Sequence, residues 1–155
     1  MDNVPFPPSK SSKVNYMWKD IQRRAKIYQI PIPKIPAPYP LKYFDEANLY
    51  ALVALEEGWF VQYLESTYRY CFLECIPAGS DKNIKLICDI NNIDFQSFKE
   101  KSSSEKVLNE YKNNTQIAYE FGIFGVPSFS VNENLFWGDD RLNDIIHFKE
   151  ELNLV

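Results

Sequence analysis

The stretch Phe121-Gly122-Ile123-Phe124-Gly125-Val126-Pro127-Ser128-Phe129-Ser130-Val131, continued by Asn132-Glu133-Asn134-Leu135-Phe136-Trp137-Gly138-Asp139-Asp140-Arg141-Leu142, decides the fold. Gly122 stands where a helix end needs a left-handed residue. Val126-Pro127 opens a strand in which Phe129 and Val131 alternate with Ser128 and Ser130. Asn132-Glu133-Asn134 supplies turn chemistry, and Leu135–Trp137 returns antiparallel. Asp139 or Asp140 is placed to cap a helix starting at Arg141. A proline at a strand mouth, beside a helix N-terminus, leaves backbone groups open next to a positive helix end. That arrangement suits a peptide-like ligand carrying a carboxylate.

Working outward, 155 residues fit one domain with a real core, and 45% apolar and 15% aromatic content argues against disorder except at the ends. Lys+Arg number 17 against 21 Asp+Glu, a net charge of -4, so composition gives no reason to expect a nucleic-acid partner. No apolar run approaches the ~20 residues of a membrane span, and the opening Met-Asp-Asn-Val-Pro-Phe-Pro-Pro lacks the form of a signal peptide. Cys71, Cys75 and Cys88 are odd in number and form no Cys-x-x-Cys pair, which points to free thiols in a reducing, cytoplasmic setting.

Residues 2–12, rich in Pro, Ser and Lys, are expected to be extended. From Val14 the apolar residues Met17, Trp18, Ile21, Ala25 and Tyr28 recur at helical spacing. Pro31, Pro33, Pro36, Pro38 and Pro40 then predict an extended strap. Helices are expected from Asp45 toward Gly58, along Phe60–Cys75, around Ile84–Ile90 and after Asp94. Ser102-x-x-Glu105 has the capping-box form and predicts a long helix through Phe121. On the third helix, Phe60, Tyr63, Leu64, Thr67, Tyr68, Cys71, Phe72 and Cys75 share one face, with Cys71 and Cys75 read as buried core. Trp18 and Trp137 also read as core. His147 falls on the polar side of the last helix, opposite Leu142, Ile145, Ile146 and Leu152. Only Ser128–Val131 and Leu135–Trp137 read as strands, and a two-stranded hairpin is marginal by itself.

Gly-Ile-Phe-Gly-Val-Pro-Ser-Phe, followed by Leu-Phe-Trp-Gly-Asp-Asp-Arg-Leu, resembles the C-terminal signature of the 2-hydroxychromene-2-carboxylate isomerase family. The resemblance extends through Lys13-x-x-Tyr16-Met17-Trp18-Lys19-Asp20-Ile21-x-Arg23-Arg24 and the Ile30-Pro31-Ile32-Pro33 strap. It implies an α/β, DsbA-like thioredoxin fold related to kappa-class glutathione transferases. Residues 1–155 would form a single, partial domain, with 13–121 as a large helical insertion and 122–155 as the C-terminal ββα half. The family's opening βαβ unit, with its serine or cysteine nucleophile, is expected upstream of Met1. The chain thus reads as an N-terminally truncated member, mostly helix plus one hairpin, with no catalytic residue assigned within it.

The resemblance further implies glutathione as cofactor. Val126, before a cis Pro127, would pair with the cysteinyl backbone of glutathione. Asp139 and Asp140 would hold the γ-glutamyl end, although both also read as helix caps and Asp139 departs from the family's usual neutral side chain. Asn3 matches an Asn-x-Pro-Pro ligand contact with the spacing off by one residue, and Lys13 lies where a substrate carboxylate could approach. No metal site is implied. The implied reaction is cis–trans isomerisation of an aromatic 2-oxo acid through a transient thiol adduct, with a small aromatic acid as partner and neither nucleic acid nor membrane. A homodimer, or association through the open sheet edge, would cover the strand that lacks a neighbour. Two rivals stay open: a DsbA-type thiol-disulfide oxidoreductase relative, which needs the absent Cys-x-x-Cys, and a non-catalytic remnant that complements another chain.

Overall fold

The computed structural model describes residues 6–151, so Asn3 and Leu152 lie outside the described residues. Six helices come first: α1 Ser11–Ile27, α2 Phe44–Glu56, α3 Phe60–Leu73, α4 Asp81–Asn91, α5 Phe95–Ser102 and α6 Glu105–Glu120. They are followed by β1 Ser128–Val131, β2 Asn134–Trp137, a 3-10 turn Asp139–Arg141, and α7 Leu142–Glu151. The chain divides into two compact units, Asp2–Tyr111 and Lys112–Val155.

In the first unit, local chemistry sets the helix ends. The Ser80 hydroxyl accepts from the Asn83 N–H at the start of α4, and Asp94 accepts from the Ser97 N–H at the start of α5. Asn92, left-handed at φ 56°, stops α4. The core joins Tyr50, Val53 and Ala54 of α2 to Tyr63 and Tyr70 of α3, Ile84, Ile87 and Cys88 of α4, Phe98 of α5 and Val107 of α6. Phe98 is its hub, with ring centroids 4.8 Å from Tyr50 and 5.0 Å from Trp59. Gly79, at φ +77°, lets the α3–α4 loop approach the start of α2. A Cβ there would lie 2.1 Å from the Tyr43 carbonyl oxygen.

The α1 and strap layer is tied by Trp18 edge-on to Tyr39, by the Gln22 amide donating to the Pro33 carbonyl, and by the Lys34 N–H donating to the Phe72 carbonyl.

Several expectations change here. The helix begins at Ser11, because the Lys10 N–H closes a turn onto the Pro7 carbonyl and pulls Ser11 and Ser12 into the first turn. The strap is not a uniform extended helix, since Ile35-Pro36 and Tyr39-Pro40 are both cis. Ser102 does not cap α6; it ends α5, its hydroxyl donating to the Lys99 carbonyl, and Ser104 accepts from the Val107 N–H instead. On α3 the buried line is Tyr63, Thr67, Tyr70 and Cys71. Tyr68 lies about 100° around the helix from Thr67 and is exposed, edge-on to Phe72. Cys75 is also exposed: α3 has ended, and Cys75 turns the chain at φ 57°. All three cysteines are free thiols, as expected.

In the second unit, α6 ends in a Schellman motif. The Ile123 N–H reaches the Ala118 carbonyl and the Gly122 N–H reaches Tyr119, with Gly122 at φ +72°. β1 and β2 pair antiparallel with Phe129 opposite Phe136 and Val131 opposite Asn134. Asn132 and Glu133 both have positive φ, as a two-residue type I′ turn requires. Phe136 meets Phe148 of α7 edge-on at 5.5 Å. Leu142 and Ile146 are largely exposed, and among the described residues every buried one lies at or before Val107.

Candidate functional site

The second unit places the predicted site on the approach to β1. Val126 is 85% exposed, the most open large apolar residue described. Neither its N–H nor its C=O has a partner among the described residues. The Val126-Pro127 bond is cis. Two bonds fix the segment around it: the Ser128 hydroxyl donates to the Gly125 carbonyl at 2.6 Å, and the Gly138 N–H donates to the Pro127 carbonyl at 3.0 Å. The second clamps the start of β1 against the end of β2, leaving Val126 on the open side.

An aromatic pair flanks Val126. Phe124 and Trp137 lie 5.1 Å apart and are 63% and 53% exposed. Trp137 is therefore not the core residue expected from its sequence context. Its indole lies over the backbone at Gly125, where an added Cβ would sit 2.5 Å from Nε1. The absence of a side chain at Gly125 is the sequence signal for this contact, since only glycine leaves room for the indole there.

Gly138, at φ +111°, turns the chain into the 3-10 stretch, with the Arg141 N–H closing onto its carbonyl. Asp140 packs so tightly that a Cβ on Gly138 would lie 2.5 Å from its Oδ1. α7 proper starts at Leu142, one residue later than expected, because Asp139–Arg141 winds as 3-10. Arg141 forks between Asp140 (2.9 Å) and Asp144 (2.8 Å), and these two carboxylates hold its guanidinium more firmly protonated. Asp140 is thus oriented by an arginine, with Oδ1 turned toward Gly138. Asp139 is exposed beside it.

Val126, Pro127, Asp139 and Asp140 therefore fall within one short segment of the same unit, whereas Asn3 lies outside the described residues. In the other unit, the Lys13 ammonium rests over the Phe6 ring at 5.1 Å. A cleft of about 200 Å³ opens there between α1 and the strap, walled by Val14, Trp18, Pro36 and Tyr39. His147 is exposed on α7. Among the described residues no group of three or more His, Cys, Asp or Glu could hold a metal ion, and no helix is long and apolar enough to cross a membrane.

Comparison with known proteins adds to this geometry. The family model of the DSBA-like thioredoxin domain matches residues 1–148. A 2-hydroxychromene-2-carboxylate isomerase of Pseudomonas sp. (strain C18) is 26% identical over 130 residues, covering 84% of this chain and 59% of the relative. Proteins of the same description from Pseudomonas putida and Sphingobium xenophagum are each 27% identical, with 62% and 65% of the relative covered. The chain thus spans about three fifths of the length of these relatives. A solved 2-hydroxychromene-2-carboxylate isomerase superposes with a TM-score of 0.77 at 25% identity, over 92% of this chain and 68% of that one. The mostly helical chain with its single hairpin follows the fold of that neighbour.

Proposed function

The chain belongs to the DSBA-like thioredoxin domain family, and from that premise we propose that it works as a glutathione-dependent isomerase of a small aromatic 2-oxo acid. The relatives named 2-hydroxychromene-2-carboxylate isomerase support the reaction class. One observation carries the cofactor: an exposed Val126 whose backbone donor and acceptor are both open, a short segment away from two carboxylates. A tripeptide can add to such a backbone as a strand adds to a sheet edge. In this reading residues 13–121 are the helical insertion and 122–155 the half that binds glutathione. A cytoplasmic, reducing setting goes with it, supported by the three unpaired thiols.

The residues fit the group in three ways. The Val126 N–H and C=O would take the cysteinyl backbone in two parallel hydrogen bonds. Asp140, oriented by Arg141, and Asp139 would face the γ-glutamyl ammonium. Phe124 and Trp137 would shield the bonds at Val126 from water, which strengthens them. When bound, glutathione supplies a thiol for reversible addition to the conjugated alkene of the substrate, so that rotation can occur about a single bond. The chain's own part is to position and partly dehydrate that peptide; no described residue is assigned the task of activating the thiol.

The test is an amide-resolved NMR titration of the chain with glutathione, run beside an isomerisation assay. Shifts at Val126, Asp139 and Asp140, weakened at least about tenfold in Asp139→Asn/Asp140→Asn, are expected. Millimolar glutathione that leaves these amides unmoved would remove the cofactor from the reading. Isomerisation that proceeds equally without glutathione would remove the mechanism.

A further inference from the structure

The net charge of -4 hides an uneven distribution. Residues 1–43 contain eight Lys or Arg against two Asp, a local charge of +6, whereas residues 44–155 contain nine against nineteen Asp or Glu. The cations gather on the solvent side of α1, where Lys19, Arg23 and Lys26 follow one another at helical spacing and are exposed. Asp20 is the one acidic residue of this helix and lies 3.9 Å from Arg23. Tyr16 and Ile27 share the same side at 59% and 72% exposure, and beyond the helix end Ile30 and Ile32 are also exposed, at 55% and 48%. The opposite side, through Trp18 and Ala25, is buried.

The outer face of α1 thus mixes cations with unburied aliphatic and aromatic side chains in a chain of net negative charge. Solvation alone accounts for the lysines but not for Ile27 exposed among them, or for the exposed Ile30 and Ile32 that follow the helix. We propose that the outer face of α1, with the Ile30–Ile32 segment, docks on the surface of an anionic phospholipid bilayer. The cations would meet lipid phosphates, and the isoleucines would enter the headgroup boundary without any helix crossing the membrane. An acidic protein segment would satisfy the charges, yet the face is the convex outside of a helix, which offers no groove to hold a chain. A lipid surface needs none. This inference stands independently of the glutathione reading.

The experiment is co-sedimentation of the full chain with phosphatidylcholine vesicles containing roughly 30% phosphatidylglycerol, and with phosphatidylcholine alone, at low and high salt. Binding to the anionic vesicles is expected at low salt and should fall at least about tenfold in Lys19→Glu/Lys26→Glu. Ile27→Ser/Ile30→Ser should also weaken it by about tenfold while keeping the salt dependence. Circular dichroism checks that each variant keeps its helices, and Lys19→Gln/Lys26→Gln replaces the Glu variant if that one does not. Three results would overturn the proposal: no sedimentation with anionic vesicles, equal binding to neutral vesicles, or binding to poly-glutamate in preference to the anionic vesicles.

Discussion

Replacing Gly125 by alanine should destabilise the hairpin only because Trp137 is there. The new Cβ would stand 2.5 Å from Trp137 Nε1 and 3.1 Å from Cε2, so the indole must slide about 1 Å to reach ordinary contact. With Trp137 53% exposed, about half of its surface is buried. For a side chain that covers 150–250 Å² this is about 100 Å², worth up to about 2.5 kcal/mol. Sliding the ring gives up part of that, about 1–2 kcal/mol. Against it, alanine narrows the unfolded ensemble and returns about 0.4–1 kcal/mol, since Gly125 does not use a positive φ. The net expectation is a loss of about 0–1.6 kcal/mol, centred near 0.8 kcal/mol. In a Trp137→Ala background the clash disappears and the same substitution should become stabilising by about 0.4–1 kcal/mol. Hydrogen exchange of the β1 and β2 amides reads the opening free energy of the hairpin directly. A change of the same sign and size in both backgrounds would refute the reasoning.

Further outcomes follow from the helical unit. Tyr63→Phe removes the 2.7 Å hydrogen bond that the phenol donates to the Ala47 carbonyl; because that carbonyl lies within α2 and keeps its helical partner, the cost in urea denaturation should be about 0.5–1.5 kcal/mol. Burial pushes the Cys88 thiol from an ordinary 9.0 up to about 11, and burial likewise raises the Tyr63 phenol. The folded state then holds protons that the unfolded state releases. Stability should be full below about pH 9 and fall as pH rises through 11, with Cys88 contributing about 1–3 kcal/mol. The slope of stability against pH should flatten in Cys88→Ala. Thiol titration should show one fast group, Cys75, and two slow ones, Cys71 and Cys88, which are buried with raised pKa values. Three equally fast groups would mean that α3 and α4 do not pack as described.

The hairpin, its turn and Gly122 were legible because each depends on backbone chemistry that one or two residues dictate, whereas the cis Pro127 came from the family resemblance, and the cis bonds before Pro36 and Pro40 were not foreseen. Helix positions were legible from periodicity. What failed were statements that need tertiary knowledge. Trp137 reads as core in the sequence, yet its ring lies over the backbone at Gly125 and is 53% exposed, a placement that needs the fold to see. Ser102-x-x-Glu105 fits a capping box by spacing, but the chain takes Ser102 into the end of α5 and leaves Ser104 to do the capping. Cys75 shares the helical period of Cys71, yet the helix ends at Leu73 and the period no longer holds. At the candidate site, Val126, Asp139 and Asp140 were proposed from the signature, whereas the Arg141 fork and the Phe124–Trp137 pair emerged only from the fold.

Among the described residues the buried ones are confined to the region up to Val107, so this molecule is not equally firm along its length. Resistance to opening grows with apolar contacts removed from water, so the helical core sets the upper limit of stability while the hairpin and α7 open at lower cost. The candidate site lies wholly on that softer part. A ligand there would find a surface whose closed form is one of several populated states, and part of its binding free energy would go into selecting that form. Affinity would then respond to substitutions that touch no ligand atom, such as those at the Asn132-Glu133 turn. The hairpin in turn would gain its rigidity largely from whatever it holds.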